Sequence, residues 1–535
     1  MKQQLSAVLM LTVLSTSGAF AIDHSGEIIS DEIWNAADDH LLTGQVFVKS
    51  GVTLTIQAGA TIKSNEDDGA GLAPALVIEK GARIMAEGRA DAPITFTSVT
   101  PADELLDPRG NWGGIIILGS APIAVDGGSS FVEGLEGLPY GGTDAEDNSG
   151  VLKYVRVWHG GRSIGQDNEI NGVTLAGVGR GTTIEHVEVA FNLDDGFEMF
   201  GGTVDLKYCD VLFVGDDAFD VDEGYQGRGQ FLFAMVGEDA GNRAHEMDSK
   251  TNGDLNSTPR SHPVWYNVTL VGSGDTSAAA DNDQILRLRE GLGGQFGNYI
   301  VLDGKATGLK NSDNGSETVT SDWVTAQAAD YPDYLYWSPN NIIYNCPTGQ
   351  FSGADALISL DVDPELISLD GRESGSGVID PRPNTGSPVY SNVDDVPADG
   401  FFQQTTFKGA FGSENWLEGY SWLDEQGRLG YVATDEGYAA QAPATSRLLG
   451  NYPNPFNPTT NIRFELASNS IVTFTVYDVS GRLISEQNLG EMTPGAYEVM
   501  WDAMSNNAFS VSTGLYIYQI EAAGELLTGK MMFLK

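Results

Sequence analysis

The chain is built from short runs in which apolar and polar residues alternate, separated by glycine, asparagine and aspartate. Residues 46–64 (VFVKSGVTLTIQAGATIKS) show the pattern well. Because successive side chains of a strand point to opposite faces, this alternation predicts strands with one buried face. No segment shows the periodicity of a long amphipathic helix. The pattern therefore predicts an all-β protein.

One of these runs returns at a fixed interval. Residues 184–191 (IEHVEVAF) align with 206–213 (LKYCDVLF) at an offset of 22 residues, and looser relatives follow at 265–271 and 298–302. A period near 22 without a helix favours a solenoid whose coils stack on one another. Propeller blades repeat at about 40 to 50 residues and do not fit. We predict a right-handed parallel β-helix over residues 22–379.

The pattern changes after residue 380. Residues 380–432 are irregular and rich in aromatic residues, and we predict that they cap the open end of the solenoid. An alternative role is a sugar-binding platform formed by Trp416, Tyr420 and Trp422. Residues 433–446 are small and polar, which is typical of a linker.

Residues 447–535 alternate again, with turn chemistry such as Asp478-Val479-Ser480-Gly481 between the runs. This pattern predicts a small antiparallel Ig-like β-sandwich. The motifs NYPNPFNPTT, VYDVSGRLI, STGLYIYQI and GKMMFLK resemble the C-terminal sorting domain of proteins exported by the type IX secretion system of Bacteroidetes-like bacteria. The resemblance implies that the secretion machinery recognises residues 447–535, and that the protein reaches the cell surface or the medium.

The start of the chain agrees with export. Lys2, an apolar run over 7–14 and the small-residue pattern at 19–21 predict a signal peptide over residues 1–21, and hence passage through the periplasm. The apolar run is too short to span a bilayer, and we expect no membrane span. The two cysteines, Cys209 and Cys346, are either buried thiols or a single bridge.

The charge narrows the choice of partners. The chain has 74 acidic and 29 basic residues and a formal net charge of −45. Such a surface repels phosphate backbones, so we expect no nucleic-acid partner. Divalent cations remain candidates, and hydration of the surface in salty surroundings is the alternative reason for the excess of acids.

The acids are densest between residues 194 and 223, where ten acidic residues accompany one basic residue. If the 22-residue period is one coil, Asp194 and Asp195 stack over Asp216 and Asp217 at about 4.8 Å. Two unit charges that close repel by about 3 kcal/mol at an effective dielectric constant near 20. Three alternatives could relieve the repulsion. The carboxylates could bind calcium, or one carboxyl could stay protonated with a raised pKa, which suits acid–base catalysis. The side chains could instead point into water or accept hydrogen bonds from backbone N–H groups of the turns. The candidate calcium ligands are Asp194, Asp195, Glu198, Asp216, Asp217, Asp220, Asp222 and Glu223.

The catalytic alternative has a family pattern behind it. Residues 192–196 (NLDDG), followed one period later by 215–218 (GDDA), are similar to the polygalacturonase pattern. The resemblance implies an inverting hydrolase in which Asp216 or Asp217 is the acid and Asp194 or Asp195 is part of the base. Three positions depart from the family pattern: Leu193 replaces threonine, Glu246 replaces the glycine after histidine, and Arg289 replaces the lysine of Arg-x-Lys.

The body also resembles known β-helices. Residues 92–98 (APITFTS) look like a coil ending of pectin-lyase-like proteins. The motifs GGIIILGSAPI, NEINGVTLAGVG, DDGFEMFGG, GDDAFDVDEGYQG and GAFGSENWLEG resemble exported β-helix proteins of Bacteroidetes type. The leading hypothesis is a secreted cell-surface protein that binds or presents extracellular carbohydrate or another surface polymer, with calcium as a structural ion. The alternative is a polysaccharide-degrading hydrolase or lyase that uses the stacked aspartates.

Overall fold

The computed structural model describes residues 21–534 with several gaps. These gaps are residues 133–134, 136, 163–169, 250–257, 280–281, 313–334, 354–356, 374, 376, 431–445, 453, 455, 467, 493–494, 505–510 and 523. Residues 1–20 of the predicted signal peptide and nearly all of the predicted linker lie outside the described residues. Both stay predictions.

The regular structure is almost entirely β-strand. The strands up to residue 383 are β1 (Ala21–Ile28), β2 (Glu32–Trp34), β3 (Asp39–Val48), β4 (Thr53–Ile56), β5 (Thr61–Ser64), β6 (Leu76–Ile78), β7 (Arg83–Glu87), β8 (Ile94–Ser98), β9 (Ile115–Leu118), β10 (Ser130–Phe131), β11 (Pro139–Tyr140), β12 (Gly150–Trp158), β13 (Val173–Ala176), β14 (Thr183–Ala190), β15 (Phe197–Phe200), β16 (Asp205–Leu212), β17 (Phe219–Asp222), β18 (Arg228–Met235), β19 (His245–Met247), β20 (Val264–Val271), β21 (Gln284–Arg289), β22 (Gly294–Leu302), β23 (Thr307–Ser312), β24 (Leu335–Trp337), β25 (Ile342–Tyr344), β26 (Gly349–Ser352), β27 (Leu366–Leu369) and β28 (Ile379–Pro383). Short 3₁₀ turns cover Ala102–Glu104 and Pro388–Tyr390, and the helix α1 covers Trp422–Glu425.

Within the described residues, 24 of these strands join into one sheet that winds around the long axis of the body. Every pairing in that sheet is parallel; Ile184 of β14 lies opposite Leu206 of β16, and Val187 lies opposite Cys209. The offset of 22 residues is therefore one coil. The predicted right-handed parallel β-helix is confirmed.

Each central coil contributes one long strand and one short strand. The long strands β12, β14, β16 and β18 bend at Tyr154, His186, Tyr208 and Phe231, which all have positive φ. Residues with a Cβ rarely adopt this conformation. Here the four rings stack in sequence, with centroids 4.3, 4.6 and 4.7 Å apart. This stacking offsets part of the backbone cost and keeps the bends aligned from coil to coil.

Inward side chains of successive coils form one continuous apolar core. Phe197 and Phe219, for example, stack at 5.4 Å in the short strands, and Cys209 is fully buried in a long strand. Since each coil buries its inner face only against its neighbours, the coils stabilise one another. Cys209 and Cys346 are both free thiols, so the single-bridge alternative is excluded.

Residues 380–429, called the strap below, do not lie where the sequence prediction put them. Asn298 donates to the backbone of Asp394 at 3.0 Å, Gln230 to that of Gln403 at 2.7 Å, and the Tyr420 hydroxyl to Asp210 at 2.9 Å. The strap therefore runs along the side of the coils, and these contacts do not match an end cap. Outward apolar residues of the long strands require this cover; the cluster includes Phe191, Phe213, Phe233, Phe411, Leu417 and Leu423.

The described residues from 446 to 534 belong to a second compact unit. Its strands are β29 (Arg447–Tyr452), β30 (Thr460–Leu466), β31 (Ser470–Asp478), β32 (Leu483–Met492), β33 (Gly495–Trp501), β34 (Gly514–Ala522) and β35 (Glu525–Phe533). They form two antiparallel sheets, in the orders β29-β30-β33 and β32-β31-β34-β35. Phe464, Phe474, Trp501 and Tyr518 belong to one buried core, so the predicted Ig-like sandwich is confirmed. In the part of the chain that the structure describes, no helix is long and apolar enough to cross a membrane.

Candidate functional site

A row of acidic side chains follows the outer side of the short strands. Glu198 of β15 lies opposite Asp220 of β17, and Asp220 lies opposite Glu246 of β19. The neighbouring residues in each strand point inward, so alternation directs all three carboxyls outward. The row continues into Arg287 of β21 and Lys310 of β23. We call this surface, with the turns that precede β15 and β17, the acidic face.

Those turns carry the predicted aspartates. The Oδ1 atom of Asp195 accepts a hydrogen bond from the backbone N–H of Asp217 at 2.8 Å. Carboxylate oxygens of Asp194, Asp195 and Asp216 lie within 4.8 Å of one another, and so do those of Asp195, Glu198 and Asp220. The structure thus brings the predicted residues together on neighbouring coils. Asp195 belongs to both groups.

Burial and mutual repulsion oppose ionisation of this face. Burial, followed by the charges of neighbouring carboxyls, raises the pKa of Asp195, Glu198, Asp217 and Asp220 well above the usual range. Both causes disfavour the charged form. A proton or a bound cation is needed to relieve the face at neutral pH.

The donor set fits a divalent cation of the calcium type. Calcium takes about six to eight oxygen ligands at about 2.3–2.6 Å, and the two groups of oxygens around Asp195 are close enough to converge on an ion. The Oδ1 atom of Asp220 is buried and has no hydrogen-bond partner among the described residues. Asn171, which is also buried, bonds Glu198 through its amide nitrogen, and its own Oδ1 atom has no partner in the described part of the chain. Asp194, Asp195, Glu198, Asp216 and Asp220 are the residues that could hold the ion.

Asp217 is placed differently from the other three aspartates. Its Oδ1 atom accepts the backbone N–H of Arg243 at 2.6 Å, and its Oδ2 atom accepts Nη1 of the same residue at 3.3 Å. The Asp217 side chain is only 3% exposed. A general acid must reach the leaving oxygen of a substrate, so this placement does not suit the catalytic role suggested for Asp217.

Arginines border the acidic face on the next coils. Arg243 Nη1 bonds Glu246 at 3.0 Å, Arg287 reaches the other oxygen of Glu246 at 3.2 Å, and Arg289 bonds Asp248 at 2.6 Å. Each of these carboxylates therefore has a cation beside it. The surface changes from carboxylates to paired arginines along the axis of the solenoid.

Asp222 and Glu223, at the end of β17, stand at the edge of the face. Asp222 Oδ1 accepts the backbone N–H of Glu223 at 2.6 Å, and the Tyr140 hydroxyl donates to Glu223 Oε2 at 2.5 Å. Both carboxyls help to raise the pKa of Glu198. They add negative charge to the predicted site from its rim.

The predicted aromatic platform is not formed. Tyr420 is fully buried, and Trp416 stacks on Phe411 with ring centroids 5.0 Å apart. Trp422 packs edge-on against Phe191 at 4.9 Å. These rings anchor the strap, so the sugar-binding prediction is wrong for Tyr420, whose ring no ligand can reach.

Sequence reasoning missed Arg243 as a partner of the acids, and also Glu246 and Asp248. A signal was present, since residues 245–248 (HEMD) repeat the pattern of 219–222 (FDVD). Phe219 lies opposite His245, however, because that coil is longer. A search at the fixed 22-residue offset therefore passes over them.

Comparison with known proteins identifies the family. The chain belongs to the pectate-lyase like beta helix domain family, whose model matches residues 26–340. A model of the FlgD Ig-like domain matches residues 451–525. Comparison with curated proteins gave no match.

Two solved structures are similar in part. Pectate lyase Pel9A has 12% sequence identity over 69% of this chain and 89% of its own, with a TM-score of 0.37. Dimeric latent PorU from Porphyromonas gingivalis has 21% identity over 17% of this chain, with a TM-score of 0.15. This chain spans only 9% of the length of PorU.

Proposed function

We propose that the acidic face binds calcium and, through it, an acidic extracellular polysaccharide. The observation that carries the proposal is that Asp195 belongs to two sets of three acidic residues, and that the carboxylate oxygens of each set lie within 4.8 Å of one another. This distance between carboxylate oxygens is shorter than the roughly 6.5–9.5 Å that inverting glycosidases keep between their two carboxyls. This closeness favours a shared cation over an acid–base pair.

The charge balance explains why the ligand should be anionic. Asp194, Asp195, Glu198, Asp216 and Asp220 would repel a polyanion when no cation is bound. A calcium ion held there supplies positive charge and open coordination positions for a sugar carboxylate. The nearby guanidinium groups can donate paired hydrogen bonds to a further carboxylate, since their fork geometry suits that group.

Two calorimetric titrations of the mature protein test the proposal. The first adds calcium, and the second adds polygalacturonate in the presence of either calcium or EGTA. Saturable calcium binding, followed by calcium-dependent polymer binding, is expected. Asp220→Asn should weaken calcium binding at least about tenfold, the effect of about 1.4 kcal/mol. Asp91→Asn removes an exposed carboxylate that pairs with Arg89 and should leave binding unchanged. Lack of calcium binding by the wild type would refute the proposal.

Cleavage of the bound polymer is a second candidate function. Arg287 and Arg289 lie on the same outer surface as the cation ligands, one coil beyond Glu246. Both stay protonated beside Glu246 and Asp248 and would bind the sugar carboxylate. We propose that calcium increases the acidity of the sugar ring, that a carboxylate of the acidic face accepts the ring proton, and that the glycosidic oxygen leaves as the double bond forms, which is the chemistry of β-elimination. Ultraviolet absorbance of an unsaturated product would reveal it. Binding without product in calcium would leave the binding function alone.

We also propose that residues 447–535 direct export through the type IX secretion system. The sorting motifs named above and the Ig-like architecture of this unit support the proposal. Deleting residues 447–535 in a producing strain should leave the body in the periplasm. Normal surface or extracellular appearance of the truncated protein, measured by cell fractionation, would refute it.

A further inference from the structure

A second pair of acids lies apart from the acidic face, on the outer side of the long strands. Glu188 of β14 stands directly opposite Asp210 of β16. Both residues are completely buried beneath the strap. Two buried carboxylates on adjacent strands cannot both be charged without a large cost.

The strap supplies part of the hydrogen bonding of this pair. The backbone N–H of Trp422 donates to both oxygens of Glu188, at 2.7 and 3.0 Å, and the indole N–H of Trp158 donates to Glu188 Oε1 at 2.7 Å. The Tyr420 hydroxyl donates to Asp210 Oδ1 at 2.9 Å. Asp210 Oδ2 is buried and receives no donor from the residues that the structure describes. A proton on one carboxyl, shared with the other, satisfies that oxygen.

The surrounding charges do not replace the proton. Arg156 of β12 lies opposite Glu188, but its Nη1 bonds Glu425 of the strap at 2.5 Å and its Nε bonds Thr95. On the other side, β18 presents the apolar side chain of Phe233 to Asp210. Tyr420 adds a neutral hydroxyl. The positive charge of Arg156 is thus shared between Glu425 and the Glu188–Asp210 pair.

We propose that Glu188 and Asp210 form a proton-dependent clasp that holds residues 419–425 of the strap against the coils and loosens as the pH rises. When the shared proton leaves, two buried negative charges face each other across one strand spacing. The favourable response is for the turn carrying Tyr420 and Trp422 to open and admit water. Other contacts hold the rest of the strap, so the opening is local.

Burial raises the pKa of Glu188 to about 7 and, together with the charge of Glu188, raises that of Asp210 well above its usual range. An acid whose pKa is raised by folding stabilises the closed form below its ordinary pKa. It loses that contribution as the pH rises towards the raised value. Closure is therefore strongest in acid and weakens from about pH 5 to about pH 7.

Amide hydrogen exchange of the Trp422 N–H in the mature chain, corrected for intrinsic base catalysis, tests the clasp. Its protection factor should fall by up to about tenfold for each pH unit between about pH 5 and about pH 7. In Asp210→Asn, only Glu188 of the pair can still titrate and the amide can donate to its charged form, so the fall should be clearly smaller than in the wild type.

Glu185→Gln is the matched control. Glu185 lies on the same strand as Glu188, but its bond with His186 lowers its pKa to about 2, so this variant should keep the wild-type dependence. A wild-type protection factor that does not change with pH would overturn the clasp. So would an Asp210→Asn protein that keeps the full dependence. If Asp210→Asn does not fold, the pH profiles of the Trp422 protection factor in the wild type and in Glu188→Gln test the clasp instead.

Discussion

The Oδ1 atom of Asp195 accepts a hydrogen bond from the backbone N–H of Asp217, 22 residues later in the chain, at 2.8 Å. One carboxyl therefore orders the turn of the next coil and also belongs to both groups of converging oxygens. Since the same side chain has both tasks, changes at Asp195 should affect stability and ion binding in separable ways.

Asp195→Asn keeps an oxygen for the Asp217 N–H but removes a buried charge. In EGTA we expect this variant to melt at a higher temperature than the wild type, because repulsion with neighbouring carboxyls is relieved. Added calcium should raise the melting temperature of the wild type and change that of the variant little. Asp195→Ala also loses the hydrogen bond and should be less stable than Asp195→Asn by about 1–3 kcal/mol. Equal calcium responses in wild type and Asp195→Asn would contradict this prediction.

Arg243→Met should be strongly destabilising. Arg243 bonds Asp217 and Glu246, and all three side chains are at least nine-tenths buried. The substitution removes the guanidinium from buried Asp217, whereas Glu246 keeps Arg287. Breaking a buried pair costs about 3–5 kcal/mol. Urea unfolding gives the measurement. The control is Arg89→Met, which breaks an exposed ion pair and should cost no more than about 1 kcal/mol.

Gly215→Ala should disturb the turn that carries Asp216 and Asp217. A Cβ atom at Gly215 would stand 1.9 Å from the carbonyl oxygen of Leu193 on the preceding coil. Because backbone must move to admit it, we expect a loss of about 1–3 kcal/mol and weaker calcium binding. Gly44→Ala meets its nearest atom at 3.2 Å and should be milder. An alanine at 215 with wild-type stability and binding would show that this turn tolerates the shift.

The first coil should make the protein sensitive to acid. His24 is buried and bonds His40 at 2.9 Å; burial, and then the neighbouring His40, lower the pKa of His24 to about 4. A depressed pKa means that stability is present above the ordinary value near 6.5 and is lost as the pH falls through the folded value. The contribution of His24 to stability should therefore decline between about pH 6.5 and about pH 4. The melting temperature of the wild type should fall over that range relative to the melting temperature of His24→Phe, and a difference between the two proteins that does not change with pH would contradict the assignment.

Much of the solenoid could be predicted from the residues alone. The alternation in IEHVEVAF, repeated as LKYCDVLF, indicates which side chains point inward, and the offset of 22 residues places Ile184 over Leu206. The same offset brings Asp194 and Asp195 to the coil next to Asp216 and Asp217. These features follow from local periodicity, because equivalent positions of successive repeats lie above one another when the coils stack.

The partners of the acids required the tertiary structure. Arg243 reaches Asp217 from a coil of a different length, so the fixed offset gave no hint of it. The strap returns to Asp210 from Tyr420, 210 residues later. It covers the apolar outer side of the long strands because that side is costly to leave in water.

The chain by itself thus determined the coil, its inward core and the clustered acids of residues 194–223, since each depends on residues close in sequence or one period apart. Only the folded molecule decided which acids are neutralised by arginine, which lie under the strap, and which still face one another. Those outcomes depend on contacts between segments that are distant in sequence. A local sequence pattern does not specify how such segments pack.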